Sequence, residues 1–516
     1  MTNHGVRLIV LVAALLLAAC ATTPFPRGAP STFLPPGDST ELDHAVAGLA
    51  LAPDESAYSL FRSGEDEFVA RMVSIAQAGR SLDAQYYLWH DDLTGRAIGR
   101  ELLRAADRGV RVRILLDDVT ARGHDEELAA LDAHERIEIR VFNPFSTRGS
   151  TIGNGLEFIF GGGRVNHRMH NKLWIADSQL AIVGGRNIGD EYFGAHEEVN
   201  FGDLGVLMAG HVVADADAQF DLFWNSDSVV PISAFEKPKD PDAALAKRRA
   251  AQEAHRQEAL ETPYAKHLIQ LRDEGLTGLH LDSLLRGRQV KLVTDDPSKS
   301  KGEDNTPQIM LDTITGLLQS AQSEAVIISP YFVPRRPGTD LLVSMEKRGV
   351  ASHLLTNSLA ANDVASVHGG YSKSRLELLR AGVDIHELKP LRVGKYSQHS
   401  SGTPSKSTAS LHAKSVVTDG HLAFVGSFNM DPRSARINTE CGVIIDDPAF
   451  AAQVHARYDA ATDLEHSWKL ALEGDKIVWL DQVDGKPVTL HDEPPASGTK
   501  RFIAWMFSWL PLDSQL

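Results

Sequence analysis

The stretch MHNKLWIADSQLAIVGGRN places His170 and Lys172 two residues apart, with Asp177 behind them and Gly184, Gly185 and Asn187 beyond. A second stretch, LHAKSVVTDGHLAFVGSFN, repeats the arrangement with His412, Lys414, Asp419, Gly426, Ser427 and Asn429. One H-x-K-x4-D string is a weak signal. Two of them, each followed at the same distance by Gly-[Gly/Ser]-x-Asn, are not chance. Side chains two apart on a strand share a face, so each histidine projects with its lysine. Asp419-Gly420 and Asp177-Ser178 read as two-residue hairpin turns. Counting back from them puts Ser427 across from His412 and Gly185 across from His170. Glycine at such a place lets a ligand approach the backbone.

Two histidines, two lysines and two amides suit a phosphodiester. Lysine offers a point positive charge to phosphate oxygens, and Asn187, Asn429 and backbone N–H groups add donors. The histidines can divide the work. One attacks phosphorus, and the other protonates the leaving oxygen and then deprotonates the incoming alcohol or water. A nucleophilic histidine must be neutral, with its tautomer set by an acceptor on the other ring nitrogen. Asp203 in VNFGDLGV and Glu440 in RINTECGV are the candidate acceptors. A protonated lysine is a poor metal ligand, and no His/Cys/Asp cluster with metal spacing stands out. The expected catalysis therefore uses no metal and no cofactor. By position, Asp177 and Asp419 fix the turns rather than join the His–Lys face.

The elements that must carry these residues are themselves duplicated. Residues 81–118 and 324–358 each read as strand, helix, strand, and each helix ends in Arg-Gly-Val, at Arg108-Gly109-Val110 and Arg348-Gly349-Val350. Glycine after a helical run is a usual stop. Strand–helix–strand with short connections implies parallel pairing. The expected fold is α/β: two lobes, 41–285 and 286–490, each a mixed or parallel sheet flanked by helices, with the active site at their interface. A charged, helix-prone insertion at 240–278 sits on the first lobe. Residues 392–409 read as a loop upstream of the second motif, either a lid or a plain surface loop. The tail, 491–516, crowds Phe502, Trp505, Phe507 and Trp509 behind Lys500 and Arg501, which suits either a membrane interface or packing on the domain.

The chain has 516 residues and a formal net charge of −16, a balance that counts against a nucleic-acid partner. It opens with MTNHGVRLIVLVAALLLAAC, an apolar run with the form of a secretory signal. Leu17-Ala18-Ala19-Cys20 resembles a bacterial lipobox, which implies cleavage before Cys20 and lipid attachment to its thiol. Residues 21–40, rich in Pro, Ser and Thr, read as a tether. Cys441, in the apolar run CGVII, reads as a buried small hydrophobe.

Paired H-x-K-x4-D motifs with G-[GS]-x-N resemble the phospholipase D superfamily in its two-motif form, over nearly everything after the tether. SPYFVP, LTNSLAANDVASVHGGYSKSR, LLRAGVDIHELKP and SLHAKSVVTDGHLAFVGSFNMDPRSARINTECGV resemble bacterial cardiolipin synthases, especially the C-type group. The resemblance implies transfer of a phosphatidyl group from a donor phospholipid through a histidine to phosphatidylglycerol. Phosphatidylethanolamine is a candidate donor. It makes His170, Lys172, Asp177, His412, Lys414 and Asp419 the catalytic set. Asn187, Asn429, Ser427, Gly185, Asp203 and Glu440 support it. His170 is the favoured nucleophile. His368, Tyr371 and Arg375 in VHGGYSKSR line a headgroup pocket or serve local packing. The expected setting is a bacterial membrane, lipid-anchored and facing the periplasm, with inner or outer membrane and any helper protein left open. The rival readings are a phospholipase D that hydrolyses lipids to phosphatidic acid, a nuclease of the same superfamily, and a lipoprotein scaffold with idle sites.

Overall fold

The computed structural model describes residues 25–145, 164–302, 306–390 and 408–509. The signal segment, Cys20 and the 392–407 part of the expected loop lie outside the described residues. Two large mixed sheets carry the two lobes. The first has nine strands, in the order Leu285–Gly287, Ser56–Leu60, Gly205–Gly210, Leu180–Gly184, Leu173–Ala176, Ser81–Tyr86, Arg111–Asp117, Ile137–Phe142 and Val229–Pro231. Three neighbouring strands, Ser81–Tyr86, Arg111–Asp117 and Ile137–Phe142, run parallel, and the others pair antiparallel. The second sheet has ten strands and the same heart: Glu324–Ile328, Ala351–Asn357 and Asp384–Leu388 are parallel. Ser467–Glu473 lies antiparallel beside the last of these, as Val229–Pro231 does in the first sheet, and Lys476–Val483 and Lys486–Leu490 extend that edge without a counterpart.

The repeated Arg-Gly-Val does in both lobes what its sequence implies. Asp92 caps the helix Leu93–Asp107, which ends as Gly109 turns to φ 97° and Val110 N–H donates back to Ala105 O. The helix Arg335–Lys347 ends the same way at Gly349, φ 84°, with Val350 bonded to Met345 O. A residue with a Cβ resists that backbone, so glycine sets where each crossover turns back.

Alternation along the strands decides how the lobes meet. Trp174, Ala176, Leu180 and Ile182 face the helices of the first lobe, whereas Leu173, Ile175, Ala181 and Val183 face the second lobe. Val417, Ala423 and Val425 answer from the second sheet, with Val416 and Phe424 turned to its own helices. The two sheets therefore share one apolar layer, the arrangement expected when successive side chains point to opposite faces. A further parallel pair, Val199–Gly202 with Thr408–Leu411, joins the lobes strand to strand.

Three expected features differ in detail. The first lobe runs to Gly287, because Leu285–Gly287 pairs with Ser56–Leu60, while Val290–Thr294 starts the second sheet. The insertion is two helices, Pro241–Glu261 and Pro263–Asp273, broken at Thr262. Proline at position 263 disfavours helical backbone in the residue before it. Residues 25–40, expected to hang free, instead lie along the first lobe up to the short helix at Glu41. Arg111 and Trp224 donate to Thr32 O and Ser31 Oγ, Phe33 N–H donates to Asp221, and Ser178 Oγ donates to Leu34 O.

Candidate active site

Each motif is a hairpin held down by its aspartate. Asp177 is fully buried and accepts from three successive backbone N–H groups, of Gly79, Arg80 and Ser81, at 2.7–2.9 Å. Asp419 does the same for Gln322, Ser323 and Glu324 at 2.7–3.1 Å. Both therefore clamp the turn to the start of the first parallel strand of their lobe, and neither joins the histidines. The turns close as expected, with Gln179 N–H donating to Ala176 O and His421 N–H to Thr418 O. Beyond them the ladder pairs Ala176 with Leu180 and Thr418 with Leu422. One extra residue, as in a bulge, shifts the expected register by one. Gly426, not Ser427, bonds to the motif strand, donating to Lys414 O.

The histidines meet across the lobe interface, and their acids are exchanged. His170 Nδ1 lies 2.8 Å from Glu440 Oε2, and His412 Nδ1 lies 2.6 Å from Asp203 Oδ2. The backbone repeats the exchange: His170 N–H donates to Thr439 O at 2.9 Å, and His412 N–H donates to Gly202 O at 2.8 Å. Each lobe thus supplies a histidine to the other lobe's acid. A carboxylate on Nδ1 fixes that proton and leaves Nε2 of each ring as the reactive nitrogen. Lys172 Nζ donates to His170 O at 2.6 Å, and Lys414 Nζ donates to His412 O. All four side chains are buried.

Two further pairs belong to the site. Tyr87 packs on His170 with ring centroids 5.0 Å apart and lies 5.4 Å from Lys172 Nζ. Tyr331 stands 6.4 Å from the His412 ring and 6.0 Å from Lys414 Nζ. Asp117 accepts from Met169 N–H, and Asn357 brackets Leu411 through its N–H and carbonyl. Each holds the residue just before a histidine. Sequence reasoning missed these four, although Tyr87 and Tyr331 follow the first strand of each duplicated unit, and Asp117 and Asn357 end the second.

A family model described as "Cardiolipin synthase, PLD-like domain" matches residues 72–224 and 314–461, one stretch for each lobe. The chain belongs to this phospholipase D-like cardiolipin synthase family. It is 40% identical to cardiolipin synthase C of Escherichia coli, over 87% of this chain and 93% of that protein. An uncharacterised Helicobacter pylori protein is 31% identical over 89% of this chain and 88% of its own length. Cardiolipin synthase A of Pseudomonas syringae is 25% identical over 78% of this chain and 68% of its own. A crystal structure of phosphatidylserine synthase from Haemophilus influenzae shares the fold, with a TM-score of 0.53 and 14% identity over 83% of this chain and 92% of that one.

Within this cardiolipin synthase-type site the two halves differ. Glu440 also accepts from Ser427 Oγ at 2.5 Å and from Ser434 Oγ at 2.7 Å. Ser427 therefore orients an acid rather than a phosphate. In the other half a Cβ on Gly185 would lie 2.3 Å from Asp203 Oδ1, so only glycine leaves Asp203 its place. Arg186 then donates to Asp203 O and pairs with Glu67 at 2.5 Å. Gly185→Ala is expected to displace Asp203 and lower kcat by roughly 10–100-fold, with His412 left unoriented. Steady-state kinetics beside an unchanged melting curve would check it. Asn187 spans Leu88 N–H and Tyr192 OH at 3.1 and 2.8 Å, a structural use. Asn429 keeps a buried Oδ1 with no hydrogen-bond partner among the described residues.

Burial sets the protonation states. It pushes His170 down to about 4, Lys172 to about 7 and Lys414 to about 8, and it lowers His412 as well. Burial also works against ionised Asp203 and Glu440, but the histidines and lysines facing them hold both below the usual carboxylate range. The free site thus pairs neutral rings with charged acids. The leaving oxygen needs a protonated His412 and an anionic phosphate needs protonated lysines, so kcat/KM is expected to fall as pH rises, first as His412 loses its proton and more steeply through about 7 to 8 as the lysines lose theirs. On the acid side it falls only as His170 gains a proton near 4. In kcat the alkaline fall is shallower, because bound phosphate restores the lysine protons. A pH profile of both constants tests this, and a kcat/KM that climbs beyond pH 8 would contradict it.

His368, Tyr371 and Arg375 form no headgroup pocket. His368 Nε2 pairs with Glu493 at 2.6 Å, and Arg375 pairs with Glu387 and Glu493 at 3.1 and 3.0 Å. Tyr371 is buried against Phe332. His368 and Arg375 pin the C-terminal segment to the second lobe. Cys441 is buried as expected. Among the described residues one group has metal-type spacing, His90, Asp92 and Glu191, which the sequence pattern did not reveal. Asp92 there caps a helix and accepts from Asp190 N–H, and His90 pairs with Glu191 at 3.2 Å.

Proposed function

We propose that this chain makes cardiolipin by moving a phosphatidyl group from a donor phospholipid to phosphatidylglycerol. The family supports phosphatidyl transfer, and the observation that carries the mechanism is the exchanged pair His170–Glu440 and His412–Asp203. Lys172 and Lys414 hold the phosphate oxygens. The Nε2 lone pair of His170 attacks phosphorus, the bond to the leaving alcohol breaks, and His412, which takes up a proton at Nε2 as the anionic substrate binds beside Asp203, gives that oxygen the proton. In the second half His412 takes the proton of a phosphatidylglycerol hydroxyl, whose oxygen attacks phosphorus. The P–N bond to His170 breaks and its electron pair returns to the ring. Burial, which keeps His170 neutral, suits it to the nucleophilic role.

Substrate reaches the site from a membrane. No described helix is long and apolar enough to cross one. The apolar N-terminal run ending in Cys20 supports an acylated anchor on the periplasmic side. The test is a product assay with labelled phosphatidylglycerol in mixed micelles, with and without phosphatidylethanolamine. Labelled cardiolipin that disappears in His170→Ala and His412→Ala is the expected result. Phosphatidic acid alone would make water the acceptor and the chain a phospholipase D.

A further inference from the structure

The last described element is the twelve-residue helix Gly498–Trp509, and its two sides are unlike. One side packs on the helix Ala365–Ala381. Ala504 joins Leu359 and Ala365 in a small apolar cluster. Gly369 lets the two helices close in, since a Cβ there would lie 2.5 Å from Ala504 O. The first glycine of VHGGYSKSR therefore serves this crossing. The other side carries Phe502, Trp505 and Trp509, spaced i, i+3, i+7 and so aligned in one stripe. They are 60%, 60% and 78% exposed. No other phenylalanine or tryptophan among the described residues is exposed.

Three facts say what such a stripe faces. Aromatic side chains beside basic ones on a short amphipathic helix fit the boundary between headgroups and acyl chains. The helix carries Lys500 and Arg501 and no acid, in a chain of net charge −16, so its charge complements an anionic surface. Its place is beside the site. Lys500 Nζ donates to Ala360 O at 2.8 Å, Ser410 Oγ donates to Ala361 O, and Tyr331 OH donates to Asp363 at 2.7 Å. Residues 360–363 thus connect the helix to the tyrosine that packs on His412.

We propose that the Gly498–Trp509 helix seats the active-site side of the second lobe on an anionic phospholipid bilayer, with Phe502, Trp505 and Trp509 entering the surface. At about 1.5 Å per residue the helix lies on the bilayer and cannot span it. The proposal deepens the reading of a lipid phosphatidyltransferase and rests on it for its purpose, though vesicle binding tests it independently.

The experiment uses the full chain with Cys20→Ser, so that no acyl anchor contributes, with and without Phe502→Ser, Trp505→Ser and Trp509→Ser together. Sedimentation with phosphatidylglycerol–phosphatidylcholine vesicles is expected to show binding weakened by at least about tenfold in the triple variant. Cardiolipin formation from vesicles falls with it, while turnover of monomeric short-chain phosphatidylglycerol is unchanged. Arg501→Glu weakens binding to these vesicles but not to phosphatidylcholine alone. Equal vesicle binding by parent and triple variant overturns the proposal. So does a triple variant that loses a lipid-free dimer yet still binds vesicles, which would give the stripe to a second copy of the chain. A parent that binds vesicles through the stripe but makes no cardiolipin leaves the proposal standing and removes the assigned function instead.

Discussion

His170→Ala and His412→Ala are each expected to lower phosphatidyl transfer by on the order of 10⁴-fold or more, and the double variant by little beyond that. The two rings act as one unit, so removing either leaves the other with nothing to exchange. Their failures differ in kind. With His412 absent, His170 can still attack a substrate whose leaving group needs no proton, and a phosphatidyl-enzyme accumulates. With His170 absent, no covalent species forms. An activated phosphodiester, acid-quench trapping and mass spectrometry of the intact chain separate the two cases. A covalent adduct on His412 in the His170→Ala variant would reverse the assignment. Glu440→Gln and Asp203→Asn should cost roughly 10²–10⁴-fold, because an amide can favour the wrong tautomer of the ring it faces. The exchange makes a sharper statement. Glu440→Gln, a change in the second lobe, must disturb His170 in the first, and imidazole NMR of the two histidines would read this directly.

Asp177→Ala should be among the most destabilising single changes in the chain while touching no reacting atom. It leaves the backbone N–H groups of Gly79, Arg80 and Ser81 without their acceptor beneath a fully buried turn. An unpaired buried donor costs about 1–3 kcal/mol, so the loss is roughly 3–6 kcal/mol, against a typical domain stability of about 5–15 kcal/mol. Asp419→Ala removes the matching clamp in the second lobe, but several of its bonds are solvent-exposed and water replaces them, so about 1–2 kcal/mol is expected. Asp177→Asn should fall between the wild type and alanine. Asparagine keeps the left-handed backbone at φ 54° and one acceptor oxygen. Denaturant unfolding measures the cost. Kinetics on the fraction still folded should show nearly normal turnover. An unchanged unfolding midpoint with lost turnover would return this aspartate to the chemistry.

The duplication was legible because its signals are local. Arg-Gly-Val, the paired turns and the alternating strands each act within a few residues, and each behaves in the structure as its sequence implies. The exchanged acids were not legible. Asp203 and Glu440 stand at similar distances after their own motifs, and nothing along the chain says that each crosses to the other lobe's histidine. That is settled by the apolar layer the two sheets share. The register beyond the turns also escaped, because a single added residue after an otherwise ordinary turn leaves no mark in composition. Along the chain Gly185 reads as room for a ligand, and Ser427 as one of the residues that support the catalytic set. One makes room for a carboxylate and the other orients one, a distinction that only three-dimensional neighbours can make. VHGGYSKSR suggested a pocket because histidine, tyrosine and arginine are residues of binding sites. Burial against Glu493 and Glu387 turns the same side chains into fastenings.

The exchange of acids between lobes also governs when this molecule can be dangerous to the lipids around it. A fragment that stops anywhere before Glu440 contains His170 with no acceptor for its ring proton, and one that begins after Asp203 leaves His412 in the same condition. No chain that lacks Asp203 or Glu440 holds a complete site, and one proteolytic cut that lets the lobes part disarms both histidines together. A phosphatidyltransferase of this design is thereby silent until synthesis has passed Glu440. It becomes active in a single event, the closing of the second lobe on the first.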